Sequence, residues 1–451
     1  MIRNVLEIVA FGRMRFVDDR VMSLRDLTGP VKEQYRQRLA ESKVQAGWLA
    51  FEDGRWRITP CSYVRVPIEL LERHFGLNEG DLRRREPASR RYRKIGGRPQ
   101  KVRFTCKNGK AVALGKGEHK GWVVLTGHPG GRKSHDFIFY DERPEAAFPL
   151  EEKEMRAFLQ VHADERPENA WNMWKGRVRR GARVPVFFIK DKQQGVQLGL
   201  ARMFRLPYRC SVHDAIGHTQ SEHVANRGTD LPALIFGFAD TEHGTASRKG
   251  RAWFTPAFAE GNPKPLRCDP TVLATPKPSY FPNYLVQETD PRHPGRLASS
   301  EYQTWMSENC EIRGFKRYPA RNGEEIKPFP VPEGVRNNKK VQVVLHPLPK
   351  GTKFKGKLIF HNLKPEELGA LVWALTWGGN GKLRHAIGMG RPFGFGQLTI
   401  RIANAELRPN DPKQTIADGL RYCEACMQRF EAMMDGFAQA SLGTPWKRTP
   451  Q

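Results

Sequence analysis

Residues 378–402 read GGNGKLRHAIGMGRPFGFGQLTIRI, and this glycine-rich stretch is the most informative part of the chain. Glycine permits positive φ angles and lets backbone amides approach a ligand, while the arginine guanidinium offers paired donors that match phosphate oxygens. The stretch therefore predicts contact with an anion, and a solvated glycine turn is the alternative. The residues concerned are Gly388, Gly390, Gly394 and Gly396, with Arg384, His385 and Arg391.

The segments on either side of this stretch predict regular structure. Pro365, followed by Glu366 and Glu367, is typical of a helix N-terminus, and an apolar stripe over 368–375 continues that helix. Apolar residues alternate over 341–345, 354–360 and 398–402, which predicts three strands. The order strand, strand, helix, glycine loop, strand predicts an α+β fold with a ferredoxin-like (RRM-like) core.

Composition points to a polyanionic partner. The chain has 451 residues, with 75 Lys+Arg against 48 Asp+Glu, a formal net charge of +27 and a pI near 10.0. Nucleic acid is favoured over a membrane surface, since the mean hydropathy is −0.61 and no apolar run approaches the ~20 residues of a spanning helix. Seven scattered cysteines favour reduced thiols and a cytoplasmic location.

Two basic segments strengthen the expectation of RNA binding. Residues 83–103, RRREPASRRYRKIGGRPQKVR, carry ten Lys/Arg and one acid, and residues 174–188 read WKGRVRRGARVPVFF. Lysine and arginine neutralise phosphates, and an aromatic side chain such as Tyr92 can stack on bases. The alternative is a solvated or disordered charged face.

The sequence predicts neither a metal nor a cofactor. Cys210, His213, His218 and His223 have no tetrahedral zinc spacing, and the glycine stretch lacks the context of a P-loop or dinucleotide fold. The pair Cys423 and Cys426 continues a helical apolar pattern over 416–434. These cysteines are therefore predicted to be core thiols in a C-terminal helical extension over 403–451.

Several motifs together resemble one family. RHAIGMGRPFGFGQLTIRI resembles the C-terminal glycine-rich signature of the CRISPR-associated RAMP superfamily, and KLIFHNLKPEELGALVWALTWG resembles the strand and helix before it. MIRNVLEIVAFG with DDRVMSLRDL resembles the first helix of a type III RAMP family. LIFGFAD, WFTPAFA and EIRGFKRYP resemble further family segments, so the resemblance covers most of residues 1–402.

The resemblance implies an RNA-binding subunit of a type III CRISPR antiviral effector complex. Its RAMP domain would span 1–402, with basic insertions around 83–103 and 174–188, and its partners would be guide RNA, target RNA and other CRISPR effector subunits. The expected RNA contacts are Arg3, Asn4, Arg313, Lys316, Arg384, His385, Gly388, Gly390, Arg391, Gly394 and Gly396.

The amino-terminal end departs from the family pattern. Ile2, Val5, Leu6 and Val9 predict an amphipathic helix that starts at residue 1, whereas in the family a strand precedes this helix. The chain is therefore expected to lack the family's first strand and the early acidic residue with which some members cut target RNA.

Two other functions are compatible with the sequence. One is a metal-independent endoribonuclease that processes guide precursor RNA, with His385 as general base and loop amides stabilising the phosphate charge. The other is a structural protein of a different ribonucleoprotein. The first lacks a second acid or base at a convincing spacing, and the second leaves the ordered family motifs unexplained.

Overall fold

The computed structural model describes residues 1–14, 16–17, 19, 21–25, 32–128, 133–162, 169–191, 195–225, 228–239, 247–273, 281–293, 297, 302–315, 317–318, 320 and 328–448. The protein is a mixed helix and sheet structure in which antiparallel pairing dominates, which confirms the α+β class. The finer ferredoxin-like architecture stays a prediction.

The α-helices alternate irregularly with strands along the chain. They are α1 Ile2–Val9, α2 Lys32–Glu41, α3 Ile68–His74, α4 Ala88–Arg93, α5 Glu152–Val161, α6 Ala170–Val178, α7 Val212–Thr219, α8 Leu231–Phe236, α9 Pro365–Thr376 and α10 Gly419–Leu442. Short 3-10 helices lie at Pro144–Ala146, Ser221–His223, Phe281–Asn283, Glu333–Val335, Lys339–Val341, Arg391–Phe393 and Trp446–Arg448.

The longer strands lie before residue 200, and those after it have two or three residues. They are β1 Ser23–Leu24, β2 Gln45–Glu52, β3 Arg55–Pro67, β4 Lys101–Lys107, β5 Lys110–Leu114, β6 His119–Val124, β7 His135–Glu142, β8 Phe148–Pro149, β9 Val184–Asp191, β10 Gly195–Gly199, β11 Leu206–Pro207, β12 Ala252–Phe254, β13 Phe258–Ala259, β14 Thr271–Val272, β15 Gln342–Val343, β16 Phe354–Lys355, β17 Leu358–Phe360, β18 His385–Ala386 and β19 Gln397–Leu398.

The chain divides into two compact units. The first comprises Met1–Val17, Ile216–Pro278 and Ile312–Gln451, and the second comprises Asp18–Ala215 and Ser279–Glu311. The glycine stretch belongs to the first unit, and both basic segments belong to the second. The predicted division into a domain over 1–402 and an extension over 403–451 stays a prediction.

Three helices form the core of the first unit. The predicted amphipathic face of α1 is buried, and it packs with apolar residues of α9 and α10. Trp446, just beyond α10, donates from its indole Nε1 to the carbonyl oxygen of Val9 at 2.9 Å. The core residues include Ile2, Val5, Leu6, Val9, Ala370, Leu371, Ala374, Leu375, Phe430, Met434 and Ala438.

Helices α9 and α10 pack at very close range. Gly369 lies in the contact, and a Cβ atom there would overlap the carbonyl oxygen of Cys426. Cys423 and Cys426 are buried against Leu368 and Val372, and burial raises the pKa of both thiols. The prediction that these cysteines are core thiols of a helix is therefore confirmed.

The strands of the first unit pair two at a time. Strand β12 pairs with β17, β13 with β16 and β14 with β15, and all three pairs are antiparallel. The prediction of a strand over 398–402 is wrong beyond Leu398. Residues 399–402 pair with no strand that the structure describes. Ile400 and Ile402 pack instead against the clusters around α9, so their alternation reflects burial without pairing.

Five strands of the second unit pair in a ring. β3 pairs with β7, β7 with β6, β6 with β4 and β4 with β5, all antiparallel. One parallel pair, Arg65 with Lys110, joins β5 to β3 and closes a small barrel. Strands β6 and β7, which pair antiparallel, are consecutive in the chain and form a hairpin. Strands β2, β9 and β10 extend the sheet from the first half of β3.

The barrel interior is apolar. One face of β3, β4, β6 and β7 contributes alternate residues to one core, which α3 and α4 also contact. Alternation of this kind is what a closed sheet requires, since each strand has one face inside and one outside. The interior residues include Val64, Val66, Val102, Phe104, Ala111, Val123 and Ile138.

A buried ion network is the exception to this apolar core. Arg91 and Asp136 are both 0% exposed, with Nη2 and Oδ2 2.6 Å apart, and Lys133 Nζ lies 2.6 Å from Oδ1. The backbone N–H of Thr126 donates to the same Oδ1 at 2.9 Å. Burial by itself would raise the pKa of Asp136, but the charges of Lys133 and Arg91 outweigh burial and lower that pKa.

The buried network changes part of what was predicted for the basic residues 83–103. This segment is folded, as α4 and the start of β4, so it is not a disordered face. Tyr92 is 1% exposed, and its hydroxyl oxygen accepts a hydrogen bond from the Leu125 N–H at 3.0 Å, so it is unavailable to stack on a base. Lys94 pairs with Glu86 at 2.7 Å. The expected RNA contacts of this segment are therefore limited to its exposed cations.

Replacement of Gly369 tests the contact between α9 and α10. Gly369→Ala should lower the free energy of unfolding by about 1–3 kcal/mol, because the added methyl group overpacks against the α10 backbone. Gly436→Ala is the matched control, since Gly436 lies in α10 with open space at its Cβ position. The control should be neutral or more stable by up to ~1 kcal/mol. Chemical denaturation measures both, and equal stability of the two variants would contradict the close contact.

Replacement of Asp136 tests the buried ion network. Asp136→Ala should lower the free energy of unfolding by about 3–5 kcal/mol, because it leaves the Arg91 guanidinium buried without its partner. Glu142→Gln removes the partly exposed pair with Arg183 and should change stability by no more than about 1 kcal/mol. Urea denaturation at pH 7 compares the two variants. A smaller loss for Asp136→Ala than for Glu142→Gln would show that the network does not stabilise the fold.

Candidate nucleic-acid interface

The glycine stretch begins where α9 ends. Trp377 caps α9 in the left-handed conformation, with φ 56° and ψ 44°, and Gly378 and Gly379 follow with φ of 61° and 79°. Three successive residues with positive φ turn the chain sharply, and glycine at two of them avoids most of the strain. The chain is thereby redirected into a hairpin.

The hairpin is held by a short ladder. His385 and Ala386 of β18 pair with Leu398 and Gln397 of β19. The N–H of Ile387 then donates to the carbonyl oxygen of Gly396 at 3.0 Å. Gly396 has φ 67°, and a Cβ atom there would overlap the Ile387 carbonyl oxygen, so this position requires glycine.

The loop within the hairpin has its own internal hydrogen bonds. The N–H groups of Phe393 and Phe395 donate to the carbonyl oxygen of Gly390 at 3.0 and 3.1 Å. Gly394 ends the 3-10 turn with φ 82°, and Gly388 has φ 87° with open space around it. The glycines that the sequence singled out therefore shape a defined loop.

The loop presents cations on this frame. Arg384 is half-buried and donates from Nη1 to the Gly381 carbonyl oxygen at 2.7 Å, and the exposed Arg391 donates from Nε to the Gly388 carbonyl oxygen at 3.0 Å. Neither arginine forms an ion pair with any residue that the structure describes. Each guanidinium is thus anchored by one group and keeps further N–H donors for an anion.

His385 belongs to the base of the hairpin. It is 2% exposed, its Nε2 lies 2.9 Å from the Leu375 carbonyl oxygen, and its ring stacks on Trp377 at 4.9 Å between centroids. Burial lowers the pKa of His385, the hydrogen bond to Leu375 opposes this, and the amino group of Met1 lowers the pKa further. His385 is therefore a neutral residue that fastens the hairpin to α9.

The amino group of Met1 acts on His385, so the first turn of α1 lies near the hairpin base. Arg3, predicted as an RNA contact, pairs with Glu7 at 2.9 Å and donates from Nη1 to the Gly237 carbonyl oxygen at 3.0 Å. Asn4 is half-buried. The structure thus gives Arg3 contacts within the protein, and its role toward RNA stays a prediction.

The segment 311–320 supplies one neighbour of the hairpin. Arg391 lies over the ring of Tyr318, with its guanidinium carbon 5.3 Å from the ring centroid. Arg313 is exposed, and Lys316 lies outside the described residues. Trp377, which caps α9, was not among the residues predicted from the sequence. The position of Trp377 directly before Gly378 and Gly379 is a local signal that could have predicted the end of α9.

One group of side chains in the second unit has donors suited to a metal ion. Ligand atoms of Asp19, His213 and Asp214 lie within 4.8 Å of one another. Two of the three are exposed carboxylates, which also occur together without a metal. The Asp19 carboxylate accepts a hydrogen bond from the Ser211 hydroxyl at 2.7 Å. No role is assigned to this group.

Among the residues that the structure describes, no helix combines the length and the apolar character needed to cross a membrane. Comparison with protein-family models and with curated proteins finds no match for this chain.

The buried His385 gives a testable pH dependence. Its NMR titration midpoint should lie below 6.5, because burial disfavours the charged imidazole. The folded state then binds fewer protons than the unfolded chain around pH 6, so the contribution of His385 to stability is present above pH 6.5 and is lost as the pH falls. Protein with labelled histidine, assigned by loss of the signal in His385→Phe, provides the measurement. A midpoint at or above 6.5 would contradict the buried site.

Proposed function

We propose that this protein is an RNA-binding subunit of a type III CRISPR effector complex, a RAMP superfamily member with a ferredoxin-like core that holds guide RNA at the glycine hairpin. The observation that carries the proposal is the hairpin itself. It presents Arg384 and Arg391 on a loop fixed by glycine carbonyls and by the His385 anchor. Phosphates bind well to guanidinium groups that are already in position.

The motif that suggests the family coincides with the hairpin. Residues 384–402 contain both arginines, the buried histidine and the glycines with positive φ at 388, 394 and 396. The helix before the motif is α9, as the resemblance implies. Sequence and structure therefore support the same part of the chain as the RNA contact.

The net charge of +27 supports a polyanionic partner. The partners proposed are guide RNA, target RNA and neighbouring effector subunits, and the proposed location is the cytoplasm. A backbone contact of this kind holds RNA irrespective of its sequence.

Binding is favoured over cleavage. A general base must reach the proton that it removes, within about 3 Å or through one water. His385 is 2% exposed, its Nε2 contacts Leu375, and its ring stacks on Trp377. These contacts suit a structural histidine, so the endoribonuclease alternative gains no support from the site.

The hairpin arginines provide the direct test. Arg384→Ala combined with Arg391→Ala should weaken binding of single-stranded RNA. The slope of log K against log salt should fall in magnitude by about 0.7 for each lost phosphate contact. Fluorescence anisotropy over a series of salt concentrations measures both quantities.

The matched control for this test is Arg408→Ala combined with Lys413→Ala. It removes the same charge from exposed positions of the same unit, and Arg408 already pairs with Glu406 at 2.8 Å. The control should retain the affinity and salt slope of the unmodified protein. An equal loss in both double variants would show that total charge, and not the hairpin, determines RNA binding.

A further inference from the structure

The barrel of the second unit carries cations on its outer surface that the hairpin site does not use. Strand β4 reads KVRFTCK, and it alternates sharply between its two faces. Val102 and Phe104 are buried in the barrel, whereas Lys101 and Arg103 are exposed. A strand with one apolar and one cationic face is thus part of the barrel wall.

The register extends this cationic surface across neighbouring strands. Arg103 lies opposite Lys120 of β6, Lys107 opposite Lys110 of β5, and Lys110 opposite Arg65 of β3. Residues opposite one another in a sheet share a face. The exterior cations are Arg65, Lys101, Arg103, Lys107, Lys110 and Lys120, and all six are exposed.

These cations are not neutralised within the described part of the chain, where none of the six forms an ion pair. The single acid in residues 101–124 is Glu118, in the turn between β5 and β6. Like charges directly opposite in a sheet are destabilising. Three such pairs on one barrel raise the free energy of the unliganded protein, and a polyanion that bridges them would relieve the repulsion.

Aromatic side chains accompany the cations. Trp122 of β6 is half-buried opposite Lys101, whose ammonium nitrogen lies 5.7 Å from the ring centroid. Tyr63 of β3 is half-buried on the same exterior, and its hydroxyl oxygen accepts a hydrogen bond from Arg202 Nε at 3.1 Å. Both rings also pack against an apolar cluster that contains Trp48 and Phe187, so only the exposed part of Trp122, beside Lys101, is available to a base.

The order of strands around the barrel is that of an oligonucleotide-binding (OB) barrel, cyclically permuted. Strands β6, β7, β3, β4 and β5 take the places of OB strands 1 to 5, including the one parallel pair between strands 3 and 5. Helices α3 and α4 lie between OB strands 3 and 4, where that fold places its helix. OB barrels bind oligonucleotides on strands 2 and 3 and with the loops 1–2 and 4–5.

The cations coincide with this ligand face only in part, because Phe137 and Phe139 of OB strand 2 are buried in an apolar cluster with Phe187. Arg65 lies on OB strand 3, and Lys107 and Lys110 flank the 4–5 turn. On OB strand 2, burial lowers the pKa of His135, and the nearby charge of Arg65 lowers it further against the opposing effect of Asp136. Topology and charge therefore coincide at Arg65 and at the 4–5 turn.

We propose that the barrel formed by β3 to β7 binds single-stranded RNA along its exterior, from Arg65 over the turn at Lys107 and Lys110 to Arg103 and Lys120. The proposal rests on the proposed function only in taking RNA as the polyanion. Lysine and arginine would contact phosphates, and the exposed part of Trp122 would contact a base.

The test compares two triple variants of the full-length protein. Arg65→Ala, Lys107→Ala and Lys110→Ala together should weaken binding of a labelled oligouridine of about 16 nucleotides, since an OB barrel covers about 4–16 nucleotides. The expected loss is about tenfold near physiological salt, and the salt slope should fall by about 2 for three lost contacts.

The matched control removes three exposed cations elsewhere in the second unit. Arg36, Lys153 and Arg156 lie on α2 and α5, and each forms an ion pair on its helix or at its start. Their replacement by Ala should leave affinity and slope unchanged. Thermal unfolding of both triple variants checks that the barrel is intact, and photo-crosslinking of 4-thiouridine RNA should label the peptide that contains Trp122 in unmodified protein.

The outcomes separate this inference from the proposed function. Wild-type affinity in the barrel variant, together with weakened binding in the Arg384→Ala, Arg391→Ala variant, overturns the barrel surface alone. Weakened binding in the barrel variant, together with wild-type affinity in the Arg384→Ala, Arg391→Ala variant, supports the barrel surface and overturns the hairpin site. Equal losses in the barrel variant and its control, or absence of the Trp122 crosslink, also overturn the barrel surface. Failure of the unmodified protein to bind RNA overturns both.

Discussion

The close packing of α9 on α10 is the contact on which the glycine hairpin depends. At Gly369 no side chain separates the helices, so the two backbones approach directly. The other side of α9 packs on α1, and the helix is therefore held from several directions. Its C-terminal end supplies both the Leu375 carbonyl and the Trp377 ring that hold His385. A loop rich in glycine thus becomes a fixed platform, because its ends are tied to a buried helix.

In the second unit, arginine and lysine occur both as buried partners of an acid and as exposed residues of the barrel wall. Its barrel has an apolar interior next to the buried network of Arg91, Lys133 and Asp136, and its outer wall carries exposed cations beside a second apolar cluster. A buried charge is tolerated there because each carboxylate oxygen has a cationic partner. Outside, Arg103 and Lys120 face each other without an acid between them. The contrast separates cations that stabilise the fold from cations that remain for a ligand.

The two surfaces proposed to bind RNA differ in geometry. The hairpin offers two arginines anchored to carbonyl oxygens of Gly381 and Gly388, so the position of each guanidinium is set by local backbone. The barrel offers cations at alternate positions along its strands. The half-buried Trp122 and Tyr63 lie on the same outer face. The first arrangement favours a few phosphates at defined positions. The second favours an extended strand, because strand geometry repeats every two residues.

Local periodicity was sufficient to predict α1, α9 and α10, since each buries a stripe with the spacing of its own helical turn. The glycine loop was also evident, because turn residues act on their immediate neighbours. Alternation misled at 398–402, where Ile400 and Ile402 are partly buried and pair with no strand that the structure describes. The basic run at 83–103 misled in part, because Arg91 finds Asp136 only across 45 residues of chain. The closure of the barrel through Arg65 and Lys110 is another contact between distant residues. Sequence periodicity sets which face of an element is apolar, but only the pairing of distant segments decides whether a cation is buried with a partner or left exposed.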